Sequence, residues 1–147
     1  MINYREARSG DQSSIHQLIV ELAVFEREPM AVINTPDALY RDLFIDKICF
    51  AIIAEEENRI IGFALYYFSY STWKGKCLYL EDIYVCEDYR NKGIGQSLFD
   101  RVVDVAKTNE VARMDWQVLN WNKVAINFYE KNKANLSDEW LNGRYFF

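Results

Sequence analysis

The 147-residue sequence holds one histidine, His16, and that scarcity removes most Ser-His-Asp, Cys-His and His-ligated zinc schemes at once. His16 falls inside a predicted amphipathic helix and reads as a helix-surface residue, so no metal site is expected. Cysteines are also few: Cys49, Cys77 and Cys86 are odd in number, lack CxxC spacing and each sit in an apolar, strand-like context. They read as buried thiols of a reducing compartment. No run approaches the roughly 18 apolar residues of a membrane span, and MINYREARSGD carries charges where a signal peptide needs an apolar stretch. A cytoplasmic protein is expected. Excess positive charge is missing too: 17 Lys plus Arg against 22 Asp plus Glu leave −5, the wrong sign for neutralising nucleic-acid phosphates. A cationic or neutral substrate fits that balance better.

What the sequence does have is core. Half its residues are hydrophobic and 16% are aromatic, enough for one compact domain over residues 1–147. A short strand is expected over residues 2–7. Ser9 with Gln12 then forms a capping-box signature, followed by Ile15, Leu18, Ile19, Leu22 and Ala23 at helical spacing. Thr35-Pro36 opens a second helix that turns Leu39, Leu43 and Phe44 inward. Residues 49–54 and 59–70 read as a hairpin about the charged turn Glu55 to Asn58. After a turn at Trp73 to Lys76, CLYLEDIYVC at 77–86 is apolar on both faces and belongs mid-sheet. A helix over 93–108 carries Ile94, Leu98, Val102, Val105 and Ala106 on one stripe. A strand over 112–119, a helix over 122–132 and one or two closing strands from Leu136 complete the order β-α-α-β-β-β-α-β-α-β.

Two features of this pattern carry chemistry. Between Ile60 and Val85 the charged residues are Lys74 and Lys76, in a turn, and the adjacent pair Glu81 and Asp82, in a central strand. Burying a lone carboxylate costs several kcal/mol, so such groups are paired or face a wet cleft. Neighbouring strand residues point to opposite faces unless a bulge intervenes. The second feature is Arg90-Asn91-Lys92-Gly93-Ile94-Gly95, between that strand and a helix. Backbone N–H groups and the helix dipole converge on an anion there, and a pyrophosphate is the natural guest. Gly93 and Gly95 let the backbone approach closely, and Arg90 and Lys92 bring positive charge to the rim. No Gly-Lys-Ser/Thr ends the loop, and Leu98 replaces the third glycine of a dinucleotide fingerprint, so nucleoside triphosphates and NAD lose ground.

RNKGIG after a strand and before a helix resembles the coenzyme A motif, Arg/Gln-x-x-Gly-x-Gly/Ala, of the GCN5-related N-acetyltransferase (GNAT) family. Within it, ELAVFE near residue 21, LYYFSYSTWKGKCLYLED at 65–82, DYR at 88–90 and WNKVAINFYEK at 121–131 are similar to the spermidine/spermine and thialysine acetyltransferase branch. The resemblance implies an α/β (α+β) fold whose mixed, mostly antiparallel sheet splits like a V after its fourth strand. The pantetheine arm of acetyl-CoA would lie in the split beside Ile83, Tyr84 and Val85. Backbone N–H groups of Asn91, Lys92, Gly93, Ile94, Gly95 and Gln96 would hold the pyrophosphate, Asn122 the arm, and Tyr129 would protonate the departing thiolate. A homodimer is implied as well. Asn122 and Tyr129 stand two helical turns apart, about 10 Å at 1.5 Å per residue, on one face.

The activity so implied is acetyl transfer from acetyl-CoA to a primary amine by direct attack, with no covalent enzyme intermediate. The amine must shed a proton before it attacks. Glu81 is the candidate acceptor, through one or two waters, with Asp82 orienting the cation and a strand N–H near Ile83 stabilising the oxyanion. Polyamines, diamines and thialysine or lysine-like amines are the expected substrates. A protein or peptide amine and a silent acyl-CoA sensor are the alternatives. One departure from the family lies after the Tyr129 helix, where Lys133 replaces the usual glycine; nearby, Asn132 is the residue that takes a left-handed turn easily.

Overall fold

The computed structural model describes residues 1–147. It resolves into two compact units, Met1–Trp116 and Gln117–Phe147. No helix is long and apolar enough to cross a membrane.

The first unit holds a five-stranded sheet in the order β1-β2-β3-β4-β5, formed by β1 (Asn3–Glu6), β2 (Phe50–Glu56), β3 (Arg59–Ser71), β4 (Gly75–Val85) and β5 (Arg113–Asp115). Neighbours pair antiparallel except β4 and β5, which run parallel. Helices α1 (Gln12–Phe25), α2 (Pro36–Tyr40, continued by a π-helical stretch over Arg41–Ile45) and α3 (Ile94–Thr108) belong to the same unit. Helix α2 starts as its sequence dictates, the Thr35 side chain accepting the Ala38 N–H at 3.2 Å with Pro36 at the first helical position. Helix α1 starts later than the Ser9 signature suggests. The Asp11 carboxylate is drawn onto the Arg5 guanidinium at 2.7 Å and the Arg8 N–H at 2.8 Å, and the Gln12 side chain accepts the Gly10 N–H. Arg5 also bonds Glu55 of β2, which keeps Glu55 and Glu56 in the strand and shrinks the hairpin turn to Glu57 and Asn58, both left-handed.

The core lies on both faces of β3 and β4. Ile61 and Phe63 are fully buried on one face, against α1 through Ile15 and Leu18; Ala64 is buried on the other, which α3 covers with Ile94, Leu98 and Val102. Each such aliphatic side chain contributes roughly 1.5–3 kcal/mol by leaving water. Gly62 marks where α3 comes closest. A methyl there would sit 3.0 Å from the Tyr84 carbonyl oxygen and 3.4 Å from Leu98 Cδ1 and Val85 Cγ2. Gly62→Ala is therefore expected to lower unfolding free energy by about 1–3 kcal/mol, read as a fall in urea midpoint with unchanged slope.

Two expected strands are shorter or missing. Residues 112–119 yield only β5, because the β4/β5 ladder runs from Cys77–Arg113 to Tyr79–Asp115 and stops, while β4 continues to Val85. In the second unit α4 (Lys123–Lys131) is the sole regular element. The closing strands from Leu136 do not form: no strand pairs with that segment, and Trp140, Leu141, Tyr145, Phe146 and Phe147 are exposed. Lys133, not Asn132, takes the left-handed conformation that ends α4, at φ 62°, while the Ala134 N–H closes back on the Tyr129 carbonyl at 3.1 Å.

Candidate active site

The strand carrying the two carboxylates is bulged at one of them. Leu65 faces Asp82 across the β3/β4 ladder and Tyr66 faces Leu80, which leaves Glu81 as the extra residue. The insertion reverses the parity of the strand. Before it, Tyr79 pairs with Tyr67 and stacks on it at 5.2 Å; after it, Asp82 pairs with Leu65 and Tyr84 with Phe63. Cross-strand partners share a face. Tyr67, Tyr79, Asp82 and Tyr84 thus stand together on the face that α1 covers, and the Tyr84 hydroxyl donates to Glu21 of α1 at 3.2 Å.

The same face gathers negative charge. Asp82 is half-buried and Glu81 exposed. Burial, then the charges of Glu81 and Glu26, push the Asp82 carboxyl up to about 7. Glu26, at the end of α1, is raised by its own burial and by Glu81, and Tyr67 is raised by the same two causes. Three carboxylates and a phenol therefore share one electrostatic neighbourhood. Glu26 and Tyr67 lie within segments that looked familiar in sequence, ELAVFE and LYYF, but nothing local assigned either a role.

Beyond Tyr79, β4 has an open edge. The Cys86 N–H donates to the Ile61 carbonyl on β3, so by alternation the backbone groups of Ile83 and Val85 face away from β3, toward the side β5 has left. No strand pairs with β4 on that side beyond Tyr79, although the Val85 carbonyl is taken by Arg90. At the end of this edge, Asn91 (φ 61°) and Gly93 (φ 77°) take left-handed conformations on either side of Lys92, a concave run of backbone N–H groups. The first bond of the α3 ladder is donated by Ser97 to the Gly93 carbonyl, so the N–H groups of Ile94, Gly95 and Gln96 lie ahead of it. The first turn has neither a side-chain cap nor an acidic residue, which leaves its positive end to an anion. A methyl at Gly95 would meet only Val85 Cγ2, at an ordinary 3.9 Å. Packing inside the protein does not demand glycine there.

The basic residues of the loop serve it rather than its rim. Arg90 donates from Nε to the Val85 carbonyl at 3.0 Å and lies over the rings of Phe25 and Tyr84; Lys92 donates to the Asp88 carbonyl at 3.2 Å and covers Tyr89. His16 is the surface residue expected, its Nε2 donating to the Asn34 carbonyl. All three cysteines are free thiols; Cys77 and Cys86 are buried and Cys49 is half-buried. No group of His, Cys, Asp and Glu is arranged to hold a metal. A cavity of about 750 Å³ lies on the α3 face, lined by Phe50, Tyr66 and Phe68 among others, but it includes neither β4 carboxylate.

In the second unit, Asn122 caps α4, its side-chain oxygen accepting the Ala125 N–H at 3.1 Å, so the amide NH₂ is the part that remains for a ligand. Tyr129 is buried, its ring 5.3 Å from that of Phe128.

Known proteins share this fold. The computed structure resembles a crystal structure of a predicted acetyltransferase with acetyl-CoA from Clostridium acetobutylicum, with a TM-score of 0.78 over 98% of this chain and 96% of that one at 24% identity. In sequence it is 37% identical to thialysine N-epsilon-acetyltransferase of Mus musculus, covering 96% of this chain and 90% of that protein. It is 39% identical to spermidine/spermine N(1)-acetyltransferase-like protein 1 of Homo sapiens over 92% of this chain, which spans 21% of that longer protein. The model of the acetyltransferase (GNAT) family matches residues 14–133, and on that match and these identities the chain belongs to this family, whose enzymes move an acetyl group from acetyl-CoA to an amine.

Proposed function

We propose that the amine acetylated is a small primary amine bearing at least one further positive charge, a polyamine, a diamine or a thialysine- or lysine-like compound. The observation that carries this reading is the set of Glu26, Glu81 and Asp82 on the face that α1 covers, beside the open edge of Ile83 to Val85. Three carboxylates sharing one neighbourhood are costly until a cation joins them. The names of the relatives, thialysine and spermidine/spermine acetyltransferases, support the same class.

In this reading the backbone of Asn91 to Gln96 binds the pyrophosphate and Arg90 keeps the loop in place. The edge at Ile83, Tyr84 and Val85, with the amide of Asn122, aligns the pantetheine arm. Acetyl-CoA supplies the thioester, and the Ile83 N–H meets the oxyanion. Tyr129 returns a proton to the thiolate. The enzyme works as a homodimer in the cytoplasm, where its cysteines stay reduced, and its acidic surface has no part in binding nucleic acid.

The test is acetyl-CoA turnover against spermidine, putrescine, thialysine, lysine and peptide amines. Multiply charged small amines are expected to show the highest kcat/KM; a preference for peptide amines would overturn the assignment. Gly95→Ala separates the coenzyme site from the fold. It is expected to keep or raise stability by a few tenths of a kcal/mol up to about 1, while weakening acetyl-CoA about tenfold, 1.4 kcal/mol, by calorimetry. Undiminished affinity would place the pyrophosphate elsewhere.

A further inference from the structure

The cavity on the α3 face lies apart from the carboxylates of β4, and its volume of about 750 Å³ falls among those of small-molecule sites, roughly 300–1,000 Å³. Its wall is aromatic. Phe50 of β2 stacks on Tyr66 of β3 at 5.7 Å and meets Phe68 edge-on at 5.8 Å, and Tyr66 and Phe68 stand 6.2 Å apart. Its mouth carries charge of both signs: Glu6 at the end of β1, Lys47 ahead of β2 and Asp104 on α3, all exposed. We propose that this cavity binds a free aromatic amino acid, with the ring against Phe50, Tyr66 and Phe68, the ammonium beside Glu6 and the carboxylate on Lys47.

Tyr66 is the residue that points to a ligand. It is only 5% exposed, yet its hydroxyl bonds no group of the protein. The little surface it keeps includes that hydroxyl, which therefore opens on the cavity that the residue lines. Buried polar groups are normally hydrogen-bonded, so a phenol set this way in an aromatic wall is free for a guest. Burial and the charge of Glu6 raise the Tyr66 phenol above its ordinary value, which puts the Glu6 carboxylate and the hydroxyl in one neighbourhood. An ammonium between them donates to both. The side chains of Glu6, Lys47 and Asp104 make no ion pair or hydrogen bond within the protein either.

The backbone on another side of the cavity departs from regular geometry. Leu43 and Phe44 come from the π-helical stretch Arg41–Ile45, and Lys47 holds φ 52°, a left-handed conformation that an L side chain rarely takes. Such departures recur at ligand sites. Charge selects the occupant. Asp104 and the carbonyl end of α3 at Thr108 and Asn109 join Glu6 in favouring an ammonium and opposing a plain aromatic acid. Lys47, with Lys76 over the Phe68 ring at 4.4 Å, favours a carboxylate and opposes a plain amine. Three rings in contact favour a further ring over an aliphatic chain. A zwitterion with an aromatic side chain meets all three demands.

L-Phenylalanine is the probe, read by the methyl NMR signals of Leu43 and Val105, which line the cavity, and by calorimetry with and without saturating acetyl-CoA. It is expected to shift both sets of methyl signals and to bind equally well when the coenzyme is present. 2-Phenylethylamine, 3-phenylpropionate and L-alanine each lack one of the three recognised groups and are expected to bind at least about fivefold more weakly. Glu6→Gln and Lys47→Gly are each expected to weaken phenylalanine about threefold to tenfold. Glycine accepts the left-handed conformation, so the second variant removes the charge and keeps the backbone. Tyr66→Phe retains the ring packing and is expected to weaken binding by a similar factor; unchanged melting temperatures show that the variants fold. Phenylalanine that leaves Leu43 and Val105 unmoved, or that moves the signals of Ile83 instead, overturns the proposal. So does equal affinity for wild type, Glu6→Gln and Lys47→Gly, or 2-phenylethylamine that binds as tightly as phenylalanine. None of these readouts depends on acetyl transfer.

Discussion

Tyr129→Phe is expected to lower kcat about 100- to 10,000-fold at neutral pH, with acetyl-CoA affinity within a factor of about two to three. Tyr129 is buried and its ring lies edge-on to Phe128, so phenylalanine keeps the apolar packing and deletes only the hydroxyl. On the role proposed for Tyr129, the loss is that of the proton its hydroxyl would deliver. That origin gives the deficit a pH dependence. A thiol has an unperturbed pKa of about 8.5, and above it the coenzyme leaves as a thiolate that needs no proton. The ratio of wild-type to variant rate is expected to narrow as pH rises through 8 to 9. A rate within threefold of wild type at pH 7 would assign proton delivery to water and leave Tyr129 a packing role.

Features that sequence reading found depend on neighbours along the chain. Gly93 and Gly95, the stripe Ile94, Leu98 and Val102, and the Thr35-Pro36 start each declare themselves within one or two turns, and each stands where expected. Features that it missed are set across the chain. The bulge is a mismatch between Leu65–Tyr66 of β3 and Leu80–Asp82 of β4, and no inspection of YLEDIYV alone shows which residue is inserted. Glu26 reaches the site because α1 lies over β4, more than fifty residues away in sequence. The helix start that Ser9 suggests moves to Gln12, after Asp11, whose carboxylate binds Arg5 of β1 across the chain. The residues past Asp115 read as a strand by composition but have no ladder to join once β5 parts from β4.

That parting and the bulge act on the same stretch of β4. The bulge turns Asp82 toward α1, and the lost β5 partner leaves Ile83 and Val85 without a neighbouring strand on that edge, where Arg90 takes the Val85 carbonyl. One strand thus carries an edge without a strand partner and the half-buried Asp82 on one face, and both lie on the central sheet rather than on a loop.

Holding Asp82 among carboxylates costs stability, and Asp82→Asn is expected to recover it. Burial and its acidic neighbours push the folded carboxyl up to about 7, against 3.8 for an unperturbed aspartate. Between those values the unfolded chain has released its proton and the folded chain has not, so folding takes up a proton and stability falls as pH rises from about 4 to 7. Above 7 the full penalty is present; below about 4 it is absent. Three units correspond to about 4 kcal/mol as an upper bound, and the solvent contact of a half-buried group reduces this to about 1–2 kcal/mol. Asparagine carries no charge at any pH, so its advantage is expected to be near zero at pH 4 and to reach about 2–8 °C in Tm at pH 8, at roughly 2–4 °C per kcal/mol for a chain of this size. Melting curves for wild type and variant across that range read the difference directly. Should Asp82→Asn melt below the wild type at pH 8, the Asp82 charge is stabilised by a partner in the free protein rather than strained by burial and its acidic neighbours.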